Sequence, residues 1–364
     1  MTTRDNDLRF LSRALDLAEA GVGQVSPNPL VGCVVVDRDG NIIGEGSYFF
    51  DRVKHAEVIA LEQAGERARG GTAYVSLEPH DHHNRTPPCT EALIDAGITR
   101  VVATIEDPNP LVSGQGFARL RAAGIEVVTG LLAERAARQN EKFICWHRNR
   151  RPFVHLKLAA SLDGRISLGK SVSTRLSGPE AVERVQRLRH EHDAILIGGT
   201  TAFVDDPSLT DRSGLARRRP LVRVVLDGRL RLPLDSTLVR TANEVPTVVI
   251  SDSTDSEKRE QLGSRGVKVV ETDPRDISAV LARLREMELQ SVLVEGGTQV
   301  AGAFCDARLV DKVTFLTAPL IIGGEDAPVA IGGRGAACLS DALQLKDLEV
   351  TPLGRDLEIT SYPA

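Results

Sequence analysis

Apolar positions in the first 150 residues alternate between a helical and a strand period. Residues 7–20 have helical apolar spacing and stop at Gly21. Val31–Val36 is a short apolar run, Asp37-Arg38-Asp39-Gly40 a turn, and 41–45 the return strand of a hairpin. Ser26-Pro27-Asn28-Pro29 reads as a loop, because two prolines forbid a regular element. The pattern then predicts a helix from His55 to about Ala64, a strand over 72–77 and a helix over 90–96 that stops at Gly97. A strand over 101–105, a helix over 117–123 and a strand over 125–129 follow, then one charged helix from Leu132 to about Arg148. This order predicts a three-layer α/β unit over residues 1–150.

Arg148-Asn149-Arg150-Arg151-Pro152 is basic, polar and stopped by a proline, and reads as a domain boundary. Beyond it the pattern predicts strands over 153–159, 194–197, 221–226, 246–250, 267–271 and 291–295, with late strands over 312–316 and 357–361. Helices are predicted over 179–190 and 277–287. A second α/β domain with an open sheet is therefore expected over 151–364. No internal repeat or low-complexity segment interrupts it.

Composition narrows the function. The 364 residues are 41% hydrophobic and 26% charged, an ordinary balance for a soluble protein with two cores. The formal net charge of −5 gives no reason to expect a nucleic acid partner. Aromatics make up 4%, thin for stacking bases along a strand. The basic runs Arg148/Arg150/Arg151 and Arg217-Arg218-Arg219 read as solvated surface. Five scattered cysteines argue against a disulfide framework and for a reducing compartment. The N-terminus lacks the apolar core of a signal peptide, and no apolar run approaches the roughly 18 residues of a membrane span. A cytoplasmic enzyme acting on a small molecule, with no membrane partner, is expected.

The chemistry gathers between His55 and Cys89. His55-Ala56-Glu57 opens the stretch, and Glu78-Pro79-His80-Asp81-His82-His83-Asn84-Arg85-Thr86-Pro87-Pro88-Cys89 closes it. A His-x-Glu followed by a proline-led ligand pair is the outline of a zinc-dependent deaminase. Hydrolytic zinc needs three protein ligands and an open position. His55 at a helix start, Cys89 at another helix start and one residue of the loop between supply them. Each alone is ordinary; Cys89 by itself would be a small buried hydrophobe. Glu57 reaches the site without being a ligand and would shuttle a proton. At a helix N-terminus beside a metal, Cys89 is expected to have a lowered thiol pKa. Among the loop histidines His80 directly follows Pro79, where the motif wants a ligand, and His82 and His83 remain alternatives.

The second half carries glycine pairs after predicted strands: Gly198-Gly199-Thr200-Thr201, Val294-Glu295-Gly296-Gly297-Thr298 and Ile322-Gly323-Gly324. Each could let backbone N–H groups approach a phosphate at a helix start, or be a plain tight turn.

Ser26–Cys33, His55–Glu57 and Leu77–Cys89 together resemble the bifunctional deaminase–reductase family of riboflavin biosynthesis. The resemblance continues through Leu156–Arg165, Ala194–Thr210 and Val294–Gly297 and covers nearly the whole chain. It implies a cytidine-deaminase-like fold for 1–150 and a dihydrofolate-reductase-like fold for 151–364. It implies zinc-dependent hydrolytic deamination of 2,5-diamino-6-ribosylamino-4(3H)-pyrimidinone 5′-phosphate, then NADPH reduction of the ribosyl group to a ribityl chain. His55, His80 and Cys89 match the metal positions, Glu57 the proton shuttle, and Asn28 a loop residue near the substrate. Ala159, Thr201, Asp205, Gly296, Gly297 and Thr298 match NADPH-contacting positions. Ser173 (with Ser171 as rival), Arg189, Leu209, Arg212 and Glu295 match substrate positions. The two arginines suit a cationic clamp on the ribose phosphate. Asp205 and Glu295 are candidates for charge or proton assistance. A homo-oligomer, dimer or tetramer, is expected.

Three departures mark this chain. The family usually has cysteine where His80 stands; the exchange removes one negative charge from the ligand set and should make the metal a stronger Lewis acid. The family usually reads Gly-Tyr-His, a spacer, then Pro ahead of the ligand histidine; here stand Gly46-Ser47-Tyr48-Phe49-Phe50 and then Lys54. A usual Trp-Ile-Thr is Arg175-Leu176-Ser177, the only tryptophan being Trp146. Arg175 could stack on or pair with the cofactor, or be a surface residue. The rival readings are a nucleic-acid deaminase, a binding module with a decayed zinc site, and a reductase-only enzyme with a metal-free deaminase domain.

Overall fold

The structure, a computed structural model, describes residues 2–82, 87–110 and 112–364. The chain divides into two compact units, Met1–Arg150 and Arg151–Ala364.

The first unit runs α1 (Thr3–Glu19), β1 (Gly32–Val36), β2 (Ile42–Ser47), α2 (Ala56–Ala64), β3 (Thr72–Val75), α3 (Cys89–Asp95), β4 (Arg100–Ala103), α4 (Gln115–Ala122), β5 (Glu126–Thr129), α5 (Ala133–Gln139) and α6 (Glu141–Arg148). Its five-stranded sheet has the order β2-β1-β3-β4-β5. β1 is antiparallel to both neighbours, and β3, β4 and β5 run parallel. The strand period sorts side chains to two faces. Cys33 and Val35 join Ala56, Ala60 and Leu93 in one core, while Val34 and Val36 meet Phe10 and Leu11 of α1 in the other. Helices on both faces make three layers.

The charged helix expected over 132–148 is two helices. Asn140 breaks it, with φ −104° and ψ 21°. Its buried carboxamide accepts from Leu30 N at 2.8 Å and donates to Leu30 O at 3.0 Å. A side chain recruited to hold a distant loop thus interrupts a helical pattern.

The second unit runs β6 (Phe153–Ser161), α7 (Pro179–His190), β7 (Ala194–Gly198), α8 (Gly199–Asp205), β8 (Val222–Leu226), α9 (Thr237–Arg240), β9 (Thr247–Ser251), α10 (Ser256–Gly263), β10 (Val267–Glu271), α11 (Ile277–Glu286), β11 (Ser291–Val294), α12 (Thr298–Asp306), β12 (Lys312–Ala318), β13 (Leu345–Leu353) and β14 (Asp356–Pro363). Its nine strands are ordered β10-β9-β8-β7-β11-β6-β12-β14-β13. The strands from β10 to β12 are parallel, and the β13–β14 hairpin adds antiparallel. Leu196, Val224 and Ile250 pack on α11 and α12, while Ile195, Ile197 and Val249 pack on α8, α9 and α10. Among the described residues no helix is long and apolar enough to cross a membrane.

Candidate functional site

In the first unit the helix starts and the strand-to-helix loop meet at one point. Side-chain donors of His55, His80 and Cys89 all lie within 4.8 Å of one another. His55 is the N-cap of α2, in extended backbone, and Cys89 is the first residue of α3. The His55 and His80 rings are 4.4 Å apart between centroids. His82 is exposed and lies edge-on behind His80, centroids 5.0 Å apart. Among the described residues His80, and not His82, stands in the cluster; His83, Arg85 and Thr86 lie outside the described residues.

The loop carrying His80 is fastened at both ends. The Glu78 carboxylate accepts three backbone N–H groups, from Asp107 at 3.0 Å, Gly114 at 2.9 Å and Phe117 at 3.2 Å. Gly116 lies so close that a Cβ there would stand 1.9 Å from Pro79 O, so only glycine fits. On the far side Thr90 N donates to His80 O at 3.3 Å, and the Thr90 hydroxyl donates to Asp81. Buried Asp107, facing the Glu78 carboxylate, has its carboxyl pushed up to about 6, chiefly by burial.

Glu57 is 3% exposed, and its Oε2 has no hydrogen-bond partner among the described residues. An orphaned buried carboxylate oxygen beside three donors calls for a ligand. The lowered Cys89 thiol is expected of a helix start with a metal beside it; the protein groups alone act the other way. Burial pushes this thiol well above its ordinary value, and the adjacent Glu57 carboxylate adds to the effect. The short helix α3 does not offset complete burial; a dication at the site would. Two imidazoles, a thiol and a neighbouring acid fit zinc in an open, catalytic coordination.

Asn28 reaches this centre through one side chain. Its Nδ2 donates to the Tyr48 hydroxyl at 2.6 Å, and the Tyr48 ring lies 5.2 Å from the His55 ring. Just upstream of His55, Val53 has φ +64° and Lys54 N donates to Arg52 O at 2.7 Å. That is a γ-turn of the strained, positive-φ kind, centred on a β-branched residue.

In the second unit, β7 and β11 are parallel neighbours with Leu196 beside Val294. β7 runs directly into α8 after Gly198, and β11 leads through Glu295-Gly296-Gly297 into α12. Two helix starts thus sit side by side at the C-terminal edge of the sheet, where open α/β sheets take ligands. A Cβ on Gly297 would lie 3.2 Å from Thr201 Oγ1, so the two glycine loops are in contact. The Thr298 hydroxyl donates to Val329 O at 2.5 Å. Ala159 lies on β6 beside Leu316 of β12, and Asp205 ends α8 exposed.

Two of the five substrate candidates are paired with each other. Arg189 donates to Glu295 through Nε at 2.8 Å and Nη2 at 3.1 Å, and through Nη1 to Thr210 O at 3.1 Å. Lys157, to which the sequence pattern assigned no role, adds Nζ to Glu295 Oε2 at 3.3 Å. Burial would raise the Glu295 carboxyl, but Lys157 and Arg189 hold it down at about 2. It is a carboxylate, with no proton to give near neutrality. Of the two arginines expected to clamp the phosphate, Arg189 binds Glu295 here and Arg212 is exposed.

The segment bearing Leu209 and Arg212 is fastened from several sides. Fully buried Arg223 donates to Ser208 O at 3.1 Å, and His190 and Arg217 both bond Asp211 Oδ2, at 3.0 and 3.2 Å. Arg217 is therefore part of the framework, not the solvated surface expected of its run. Ser173, Ser171 and Arg175 are exposed, and no described hydrogen bond ties Ser173 to Arg189, Arg212 or Glu295. The third glycine pair is not a phosphate loop: Ile322 N and Gly323 N donate to Asp163 at 3.0 and 2.7 Å.

Comparison with known proteins matches both units. The RibD C-terminal domain family matches residues 152–359, and the cytidine and deoxycytidylate deaminase zinc-binding region matches residues 4–105. The riboflavin biosynthesis protein RibD of Actinobacillus pleuropneumoniae is 41% identical over 355 residues, covering 96% of this chain and 94% of that protein. That of Bacillus amyloliquefaciens is 41% identical over 357 residues, covering 97% and 95%. The solved diaminohydroxyphosphoribosylaminopyrimidine deaminase/5-amino-6-(5-phosphoribosylamino)uracil reductase of Thermotoga maritima superposes with a TM-score of 0.89 at 34% identity, over 100% of both chains. Acinetobacter baumannii RibD, form 1, does so with a TM-score of 0.87 at 34% identity, over 99% of both.

Proposed function

The chain belongs to the RibD family of riboflavin biosynthesis, and from that premise we propose how its two chemistries are divided. Residues 1–150 deaminate and residues 151–364 reduce. The chain is a bifunctional enzyme, a zinc-dependent hydrolase and an NADPH-dependent oxidoreductase. It catalyses two consecutive steps, deamination of the diaminopyrimidine ribose phosphate and then reduction of its ribosyl group to a ribityl chain. The first unit has the cytidine-deaminase-like fold and the second the dihydrofolate-reductase-like fold.

The observation that carries the deaminase reading is the convergence of His55, His80 and Cys89 beside buried Glu57. Those three residues would hold zinc, which when bound supplies Lewis acidity and an activated water. Glu57 takes one proton of the attacking water to the ring nitrogen, then carries the second, from the hydroxyl now on the carbon, to the departing amine. Its Oε2, bonded to nothing else described, is available for that transfer. Asn28 orients the pyrimidine. The retained donor set disfavours the reductase-only alternative.

In the second unit the paired helix starts at Gly198–Thr201 and Gly296–Thr298 would hold NADPH, with Ala159 and Asp205 at the edges. NADPH supplies the hydride, which needs no covalent intermediate with a side chain. Glu295 assists by charge, not as a proton donor, given its two cationic partners. Leu209, Arg212 and Ser173 would bound the sugar phosphate.

We also propose a homo-oligomer, dimer or tetramer, in the cytoplasm. Strand β13 is outermost in its sheet and exposed from Leu345 to Pro352, with Leu345 at 46%, Leu348 at 64% and Val350 at 54%. Apolar residues on an open edge hairpin suit a second copy of the chain. The functional test is incubation with the diaminopyrimidine, with and without NADPH, before and after chelation. Ammonia should appear without NADPH and vanish on chelation, while NADPH oxidation with deaminated pyrimidine survives it. NADPH oxidation on the diaminopyrimidine with no ammonia released would favour the reductase-only reading.

A further inference from the structure

We propose that Tyr48 is a positioning residue of the deaminase site, joining the substrate loop to the metal-bearing helix. The inference rests on the reading of 1–150 as the deaminase and adds a residue to it. One departure from the family pattern falls here, in Gly46-Ser47-Tyr48. Tyr48 directly follows β2 and is 6% exposed. Its backbone N donates to Val31 O at 2.9 Å, and a Cβ on Gly21 would stand 3.0 Å from its carbonyl, so the backbone is held on two sides. Tyr48 belongs to the same core as Val25, Ala56 and Ala60, with the His55 imidazole 5.2 Å from its ring.

The hydroxyl accepts from Asn28 Nδ2 at 2.6 Å. That bond holds the carboxamide by its amino end against Tyr48. With Nδ2 engaged, Oδ1 is left as an acceptor, and no described residue donates to it. A diaminopyrimidine is rich in N–H donors, which suits an acceptor held in one orientation. Asn140 grips the same loop two residues on, through Leu30. Of the two anchors, Tyr48 alone also touches a metal-ligand ring. One rigid aromatic side chain therefore sets the substrate loop against His55, and through it against the metal.

The test uses the full chain loaded with zinc, comparing wild type with Tyr48→Phe, Asn28→Ala and the double variant. Tyr48→Phe keeps the ring and removes the hydroxyl. It should raise KM for the diaminopyrimidine by about fivefold, the factor one neutral hydrogen bond sustains. kcat should fall much less, and zinc content should match wild type. In the Asn28→Ala background Tyr48→Phe should have no further effect, because the carboxamide it orients is gone. Tyr48→Ala, which also removes the ring, should release zinc to a chelator faster than Tyr48→Phe does. NADPH oxidation with the deaminated pyrimidine reports that the second unit of each variant is folded, and bound zinc before chelation reports the same for the first. A wild-type KM in Tyr48→Phe, or effects that multiply in the double variant, would overturn the inference alone. A wild-type chain that releases no ammonia would overturn the underlying reading as well.

Discussion

The imidazoles of His55 and His80 lie 4.4 Å apart between centroids, inclined by 31°. A cysteine at position 80 could make no such ring contact. Replacing His80 therefore changes both the charge of the ligand set and the packing of His55. His80→Ala should lower zinc affinity by more than about 100-fold, measured by competition with a chromogenic chelator. His80→Cys should keep zinc, restore one negative charge and move the acid limb of the deamination rate profile to higher pH. An unmoved limb would contradict the charge argument.

Lys157 and Arg189 hold Glu295 at about 2, against an ordinary glutamate value of 4.5. A carboxyl depressed on folding contributes stability that is fully present above the unfolded value and is lost as pH falls through the folded one. The contribution of Glu295 is thus lost between about 4.5 and about 2. Lys157→Met removes one cation and raises the folded value. Acid unfolding of the second unit, followed by circular dichroism, should then begin at higher pH than in wild type. An unchanged acid midpoint would mean that Lys157 does not hold the carboxylate.

Much of both domains is legible in the residue pattern, because β1, β7 and β9 are buried on both faces and read as short continuous apolar runs. The helices at 199–205 and 256–263 leave little trace. The first opens on glycine and threonines, and the second buries only Leu262. Strand β13 has no buried face, so no alternation betrays it. The candidate zinc ligands could be singled out because they lie within one stretch of loop and helix starts. Lys157 could not, since its partner Glu295 is 138 residues away and only the β6–β11 pairing brings them together. The same holds for Arg189, which the resemblance places at the substrate and whose fork closes on Glu295.

Val53 holds φ +64° just before the metal-bearing helix. A β-branched side chain there is strained, and glycine is not. Val53→Gly should stabilise the first unit by about 1 kcal/mol, read from its denaturant midpoint. Should the strain serve to aim His55, zinc retention in this variant would fall even as stability rises. A destabilised variant would mean that the Val53 side chain contributes more by contact than its backbone costs.

Glu57 gives the most direct measurement. Glu57→Gln preserves size and burial but removes the base. Ammonia release from the diaminopyrimidine without NADPH should fall by about 100-fold or more, with wild-type zinc content and intact NADPH oxidation on the deaminated pyrimidine. Release at the wild-type rate would contradict the assignment of the His55–His80–Cys89 centre as the deaminase site.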